Sequence, residues 1–263
     1  MNRLITAGAG LALIATPLVA TTATASDATA ERRAPAYSVT AKINKTTAIA
    51  KEDVVKIRGK VSPRAAGDKV VLQQRMEGKK SWSVSGRAKI KANGRFLLKD
   101  EPRAVGTRFY RVLKPALGKT KKGVSKELEL VVYGWEKLGY RLRGPATNVF
   151  VNTAVIATDS FPASIVTAEP GTPGSIEYTL GKKCLKLRSS YALTDASESG
   201  STGTVSLKVD GQVAFASSLT LGNAIEDHEV DITDAFRISY ELTSSAAPKG
   251  QVAAATPEVL CTK

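Results

Sequence analysis

The sequence predicts an all-β protein built from two antiparallel β-sandwich domains in series. Apolar residues alternate with charged or polar ones along most of the chain, which is the period of a strand with one buried face. The alternating runs are short and are bounded by turn formers such as Ser62-Pro63, Ala66-Gly67-Asp68, Glu77-Gly78, Asn93-Gly94 and Leu117-Gly118. The charge also breaks midway. Residues 26–134 carry 26 Lys/Arg against 10 Asp/Glu, a net of +16, whereas residues 135–263 carry 11 against 14, a net of −3. A basic half joined to a nearly neutral one argues for two modules with different tasks.

The first segment is expected to be a signal peptide over residues 1–25. Arg3 supplies a positive start, Leu4 to Ala20 is apolar and uncharged, and Ala23-Thr24-Ala25 has the small-x-small pattern of a cleavage site. The apolar stretch is broken by Gly8, Gly10 and Pro17 and is shorter than the roughly 20 residues of a spanning helix, so no membrane span is expected after cleavage. Residues 26–35, rich in Ala and with little to bury, read as a disordered tail. The expected location is therefore secreted, extracellular or associated with the cell wall.

Residues 36–134 form the basic module. Val55, Ile57, Gly59 and Val61 alternate with Lys56, Arg58 and Lys60, and further runs include Val70 and Leu72, Phe96 and Leu98, Tyr110 and Val112, and Leu128, Leu130 and Val132. About seven short strands in a module of this length are the pattern of an Ig-like sandwich. Residues 62–75, Trp82, Ala92-Asn93-Gly94-Arg95-Phe96 and residues 106–112 resemble the Ig-like repeats of exported actinobacterial proteins. That resemblance implies a spacer or adhesive unit without catalytic residues.

A linker is expected over 135–148, where Gly144-Pro145 stiffens a short connection. The second module, 149–263, is again strand-rich: Ile176, Tyr178 and Leu180, then Val205, Leu207 and Val209, then Ile238, Tyr240 and Leu242 alternate with polar residues. Asp210-Gly211 separates two runs and suits a two-residue hairpin turn. These features predict a jelly-roll sandwich. Residues 174–181, 191–195, 205–213 and 230–233 resemble the carbohydrate-binding modules abbreviated NPCBM. The resemblance implies a partner among extracellular or cell-wall glycans. Where that family carries a Gly-Leu-Gly-x-His-Ala-like stretch, this chain reads Ser164-Ile165-Val166-Thr167-Ala168. The alternative to a secreted, non-enzymatic glycan-binding protein is a structural surface or scaffold protein whose basic Ig-like module binds anionic wall polymers and whose jelly roll has lost sugar binding.

Candidate sites follow from residue type. Cys184 and Cys261, an even pair in an oxidising compartment, are expected to bridge if their strands are antiparallel neighbours. Asp195 with Glu198, and Asp227 with Glu229, are candidate ligand or calcium positions, because calcium takes carboxylates and carbonyls together. No other cofactor is expected. Lys56, Arg58, Lys60, Lys89, Lys121 and Lys122 are candidate contacts for anionic wall polymers, since a cationic field attracts polyanions by counterion release. Protection of strand edges against aggregation explains the same lysines. A specific nucleic-acid partner is not expected, because Trp82, Phe96, Phe109 and Tyr110 mostly fall on apolar strand faces rather than on a stacking surface. Nor is an enzyme: the single histidine, His228, sits in the hydrophilic run Glu226 to Glu229 and reads as a solvated loop residue.

Overall fold

The computed structural model describes residues 35–263, so the expected signal peptide and nearly all of the expected tail lie outside the described residues. Nine strands precede residue 138: β1 (Ser38–Ile43), β2 (Thr47–Ile49), β3 (Val55–Ser62), β4 (Lys69–Met76), β5 (Ser83–Lys89), β6 (Arg95–Asp100), β7 (Gly106–Lys114), β8 (Gly123–Val124) and β9 (Leu128–Lys137). One sheet has the order β1-β3-β6, antiparallel throughout. The opposing sheet has the order β5-β4-β7-β9, with β2 added parallel to β9 and β8 paired to the end of β7. Between them lie Val55, Ile57, Val61, Phe96 and Leu98 from the first sheet and Val70, Leu72, Tyr110, Val112, Leu130 and Val132 from the second, all buried. Each fully buried Val, Leu, Ile or Phe stabilises the fold by about 1.5–3 kcal/mol, before the entropy of ordering it is set against that gain. Gly59 interrupts the apolar run because the Phe96 ring occupies its place: a Cβ there would come within 2.4 Å of Phe96 Cζ.

Ten strands follow: β10 (Ala146–Thr147), β11 (Val149–Ile156), β12 (Asp159–Thr167), β13 (Gly174–Thr179), β14 (Cys184–Leu193), β15 (Thr202–Val209), β16 (Gln212–Thr220), β17 (Ile225–Asp231), β18 (Arg237–Ser244) and β19 (Val252–Cys261). They form a five-stranded sheet, β10-β13-β18-β15-β16, facing a second layer in which β14 pairs with both β17 and β19 and β12 joins β19 to β11. The second core contains Ile176, Tyr178, Leu187, Tyr191, Leu207, Ile238, Tyr240 and Val259. Asp210 and Gly211 close the β15–β16 hairpin with φ of 48° and 85°, as a two-residue primed turn requires. The described residues contain no α-helix, and none of their helices is long and apolar enough to cross a membrane.

The junction differs from the expected linker. Residues 135–137 continue β9, and Gly134 to Lys137 pair antiparallel with Cys261 to Glu258 of β19. The two modules therefore share one sheet, ordered β11-β12-β19-β9-β7-β4-β5. Local chemistry explains the continuation. Gly134 lets β9 pass Val105, whose Cγ2 would lie 2.6 Å from a Cβ at that position. Trp135 is covered by the Arg188 guanidinium at 4.1 Å, and Leu138, in the following 3-10 turn Leu138–Tyr140, is fully buried in the second core. Cys184 and Cys261 are direct cross-strand partners, joined by a disulfide. The bridge fixes β14 to β19 beside the point where β19 meets β9.

Candidate functional site

The outward face of β1-β3-β6 carries a lattice of cations. Alternation sends Val55, Ile57 and Val61 inward, so Lys56, Arg58 and Lys60 all project outward and are exposed. Register adds the neighbours: Lys42 of β1 lies opposite Arg58, Arg95 of β6 opposite Lys60, and Lys99 opposite Lys56. Lys91, just before β6, lines the same shallow trough of about 820 Å³, together with Thr40, Asn44 and Leu97. None of the eight ion pairs among the described residues involves a cation of this face. Like charges placed directly across strands repel, each pair costing a few tenths of a kcal/mol to about 1 kcal/mol. Three stacked cationic rungs make this face an electrostatic surface of one sign.

Of the predicted polyanion contacts, Lys56, Arg58 and Lys60 sit on this face. Lys89 ends β5 in the opposing sheet, across from Lys69, while Lys121 and Lys122 are exposed in the turn before β8. Alternation assigns a side within one strand but cannot assign a sheet. The face also contains Lys42, Arg95 and Lys99, which the sequence reading missed, because only long-range register brings them beside β3. The opposing sheet is mixed in sign. There Arg75 pairs with Glu127 at 3.0 Å and stacks over Trp82 and Phe109, and Arg111 covers Trp82 at 4.1 Å. Phe96 and Tyr110 are buried as expected, but Trp82 and Phe109 lie half-buried on the outer surface beneath arginines.

Three of the four acidic candidates, Asp195, Glu198 and Glu229, are engaged in structural contacts. Asp195 accepts the backbone N–H groups of Ala157 at 2.8 Å and Thr158 at 2.9 Å, holding the left-handed turn between β11 and β12. Glu198 accepts the Lys249 N–H at 2.7 Å, and Glu229 pairs with Lys186. The exposed Asp227 stands at positive φ in β17, its backbone N–H donated to Ser190 Oγ. No three His, Cys, Asp or Glu side chains converge as a metal cluster among the described residues. His228 is not a solvated loop residue: it lies half-buried on β17, opposite Ser189, with its ring 4.0 Å from that of Phe215. The reversal at Asp227 lets the polar run continue as an edge strand, so composition concealed it.

Asp210 lies below the usual carboxylate range because it accepts the backbone N–H of Arg237 and that of Phe236. Phe236 itself is exposed at the rim of a cleft of about 290 Å³, shared with Glu177, Arg237 and Ser239. No family model matches the chain, and no curated protein sequence matches it.

Proposed function

We propose that the chain is an exported, non-enzymatic binding protein that attaches to cell-wall or extracellular glycans carrying anionic groups, with the outward face of β1-β3-β6 as the gripping surface. The observation that supports this most directly is the set of cross-strand cation pairs, Lys42 with Arg58, Lys60 with Arg95 and Lys56 with Lys99, none of which takes part in any of the eight ion pairs among the described residues. Edge protection needs only a lysine or two on an edge strand, whereas here the central strand β3 is as cationic as its neighbours. A polymer with regularly spaced phosphates or carboxylates relieves the repulsion on binding and releases counterions. The disulfide is what an oxidising compartment maintains, in keeping with export.

The test is retention of residues 26–263 on immobilised teichoic acid, with a neutral glucan as control. Reversing Lys56, Arg58 and Lys60 to Glu should weaken binding at least tenfold, and raising salt should release the native protein, since screening shortens to about 3 Å at 1 M ionic strength. Equal retention of the triple variant and the native chain overturns the reading. A second reading, attachment to neutral sugars by the second module, has one supporting observation: Phe236 is 47% exposed beside Glu177 and Arg237, offering an apolar shelf for a sugar ring. Glucan binding that is lost on Phe236→Ala and is insensitive to salt favours it.

A further inference from the structure

Two cations are buried on the inward face of β7, and they are treated differently. Lys114, at one end, is 3% exposed; it lies 3.2 Å from an Asp68 carboxylate oxygen and over the Tyr37 ring. Arg108, at the other end, is 4% exposed and takes part in no ion pair. Its guanidinium donates to Gln74 Oε1 at 2.9 Å and to the Ala104 carbonyl at 2.6 Å, while its Nε is enclosed without an acceptor. The nearby Asp100 carboxylate is occupied by the Tyr110 hydroxyl, which donates to it at 2.6 Å. A buried guanidinium is ordinarily matched to an anion, and its planar fork fits carboxylate or phosphate oxygens.

Arg108 lines a cavity of about 420 Å³ that opens at the end of the first sandwich, between the β4–β5 and β6–β7 connections. That volume suits one monosaccharide-sized unit. The cavity wall narrows the ligand class. Lys79 and Arg103 add positive charge to that of Arg108, but Asp100 and Glu101 share the wall and would repel a second anionic group. Carboxylates are instead good acceptors for hydroxyl groups, as are Ser81 and Ser83 in their acceptor role.

We propose that this cavity binds a single acidic sugar unit, one carboxylate or phosphate ester on a ring of hydroxyls, with the anionic group received by Arg108 and the hydroxyls by Glu101, the two serines and the Asp100 oxygen that Tyr110 does not use. The proposal deepens the reading of an anionic-glycan binder by naming a unit of the polymer, and it concerns a site built from different residues than the β1-β3-β6 face.

The experiment is a calorimetric and amide-resolved NMR titration of residues 26–263 with glucuronate, glucose 6-phosphate, glucose and inorganic phosphate. Glucuronate or glucose 6-phosphate should bind, with shifts concentrated at Gln74, Ser83, Ala104 and the Arg108 Nε–H. Arg108→Lys, which keeps charge but loses the fork, should weaken that binding at least tenfold. Arg103→Ala, at the exposed rim, should weaken it severalfold even if the Arg108 variant does not fold. The Glu-reversed variant of Lys56, Arg58 and Lys60 should bind the acidic sugar as the native chain does, which separates failure of the cavity from failure of the face. The proposal is overturned if neither acid binds, if glucose or bare phosphate binds as tightly as both acids, or if Arg103→Ala leaves acid binding unchanged.

Discussion

Asp210 shows how a single carboxylate organises a hairpin in this fold. It sits at positive φ in the β15–β16 turn and reaches across to the backbone N–H groups of Phe236 at 3.1 Å and Arg237 at 2.8 Å, fastening the turn to the start of β18. Asp53 is likewise held low by the hydrogen bond from Lys45 and then by the Ile49 N–H, and Asp231 by the hydroxyl and N–H of Thr233. A carboxyl whose folded value is depressed lends stability that is complete above its unfolded value, near 4, and is lost as pH falls through the folded value. Thermal midpoints should therefore hold from neutrality to about pH 5 and fall below pH 4. Asp210→Asn should lower the midpoint at pH 7 and flatten that acid limb, as read by circular dichroism melts across pH. An unaltered limb would show that the clamp contributes nothing to the acid transition. The Asp210-Gly211 turn was legible from sequence because both residues tolerate left-handed backbone. The second half of the clamp was not, since residues 210 and 236 are joined only by the sheet.

At the scale of elements, the alternating strands and the sulphur bridge could be read from periodicity and cysteine count, while β11, β12, β17 and β19, which lack that alternation or are largely polar, and the sheets could not. Alternation placed Lys56, Arg58 and Lys60 on one side of β3, but pairing across β1, β3 and β6 decided that Lys42, Arg95 and Lys99 join them and that Lys89 does not. Leu97, 39% exposed among those cations, breaks the alternation that would have advertised β6 as part of the face. The Arg108 cavity was equally hidden: the alternation that buries Tyr110 and Val112 turns Arg108 to the same face, but only the connections that close over the end of β7 make that arginine enclosed rather than solvated. The disulfide spans 77 residues, a loop whose closure entropy is worth about 4.5 kcal/mol at most. Replacing Cys184 and Cys261 together with Ala should lower the unfolding free energy by about 2–4 kcal/mol in urea titrations, and an unchanged midpoint would assign the bridge no stabilising role.

For the whole molecule, what matters is that the described chain has two cores but no free hinge between them. Glycine and proline near 134–145 read as a connection, yet Leu138 is buried in the second core, Trp135 lies half-buried beneath Arg188, and Thr262 Oγ1 donates back to the Val132 carbonyl at 3.1 Å. Backbone groups held in a sheet resist proteases that need an extended, unpaired substrate. Limited proteolysis should consequently leave residues 134–137 uncut under conditions that cleave exposed turns such as Gly118-Lys119. Early cleavage at Lys137, releasing two stable halves, would contradict a shared sheet.

That shared strand also settles how a pull would travel. If the β1-β3-β6 face is held on a polymer and the second sandwich is dragged away, tension runs lengthwise along the backbone of β9 into its four pairings with β19. Those contacts are then loaded together, in shear, rather than opened one after another. Cys261, the last of the four β19 partners, is bonded to Cys184, so the strain passes through sulphur into the neighbouring strand β14. Under such a load the described chain is braced lengthwise where a bead-and-string protein would simply stretch.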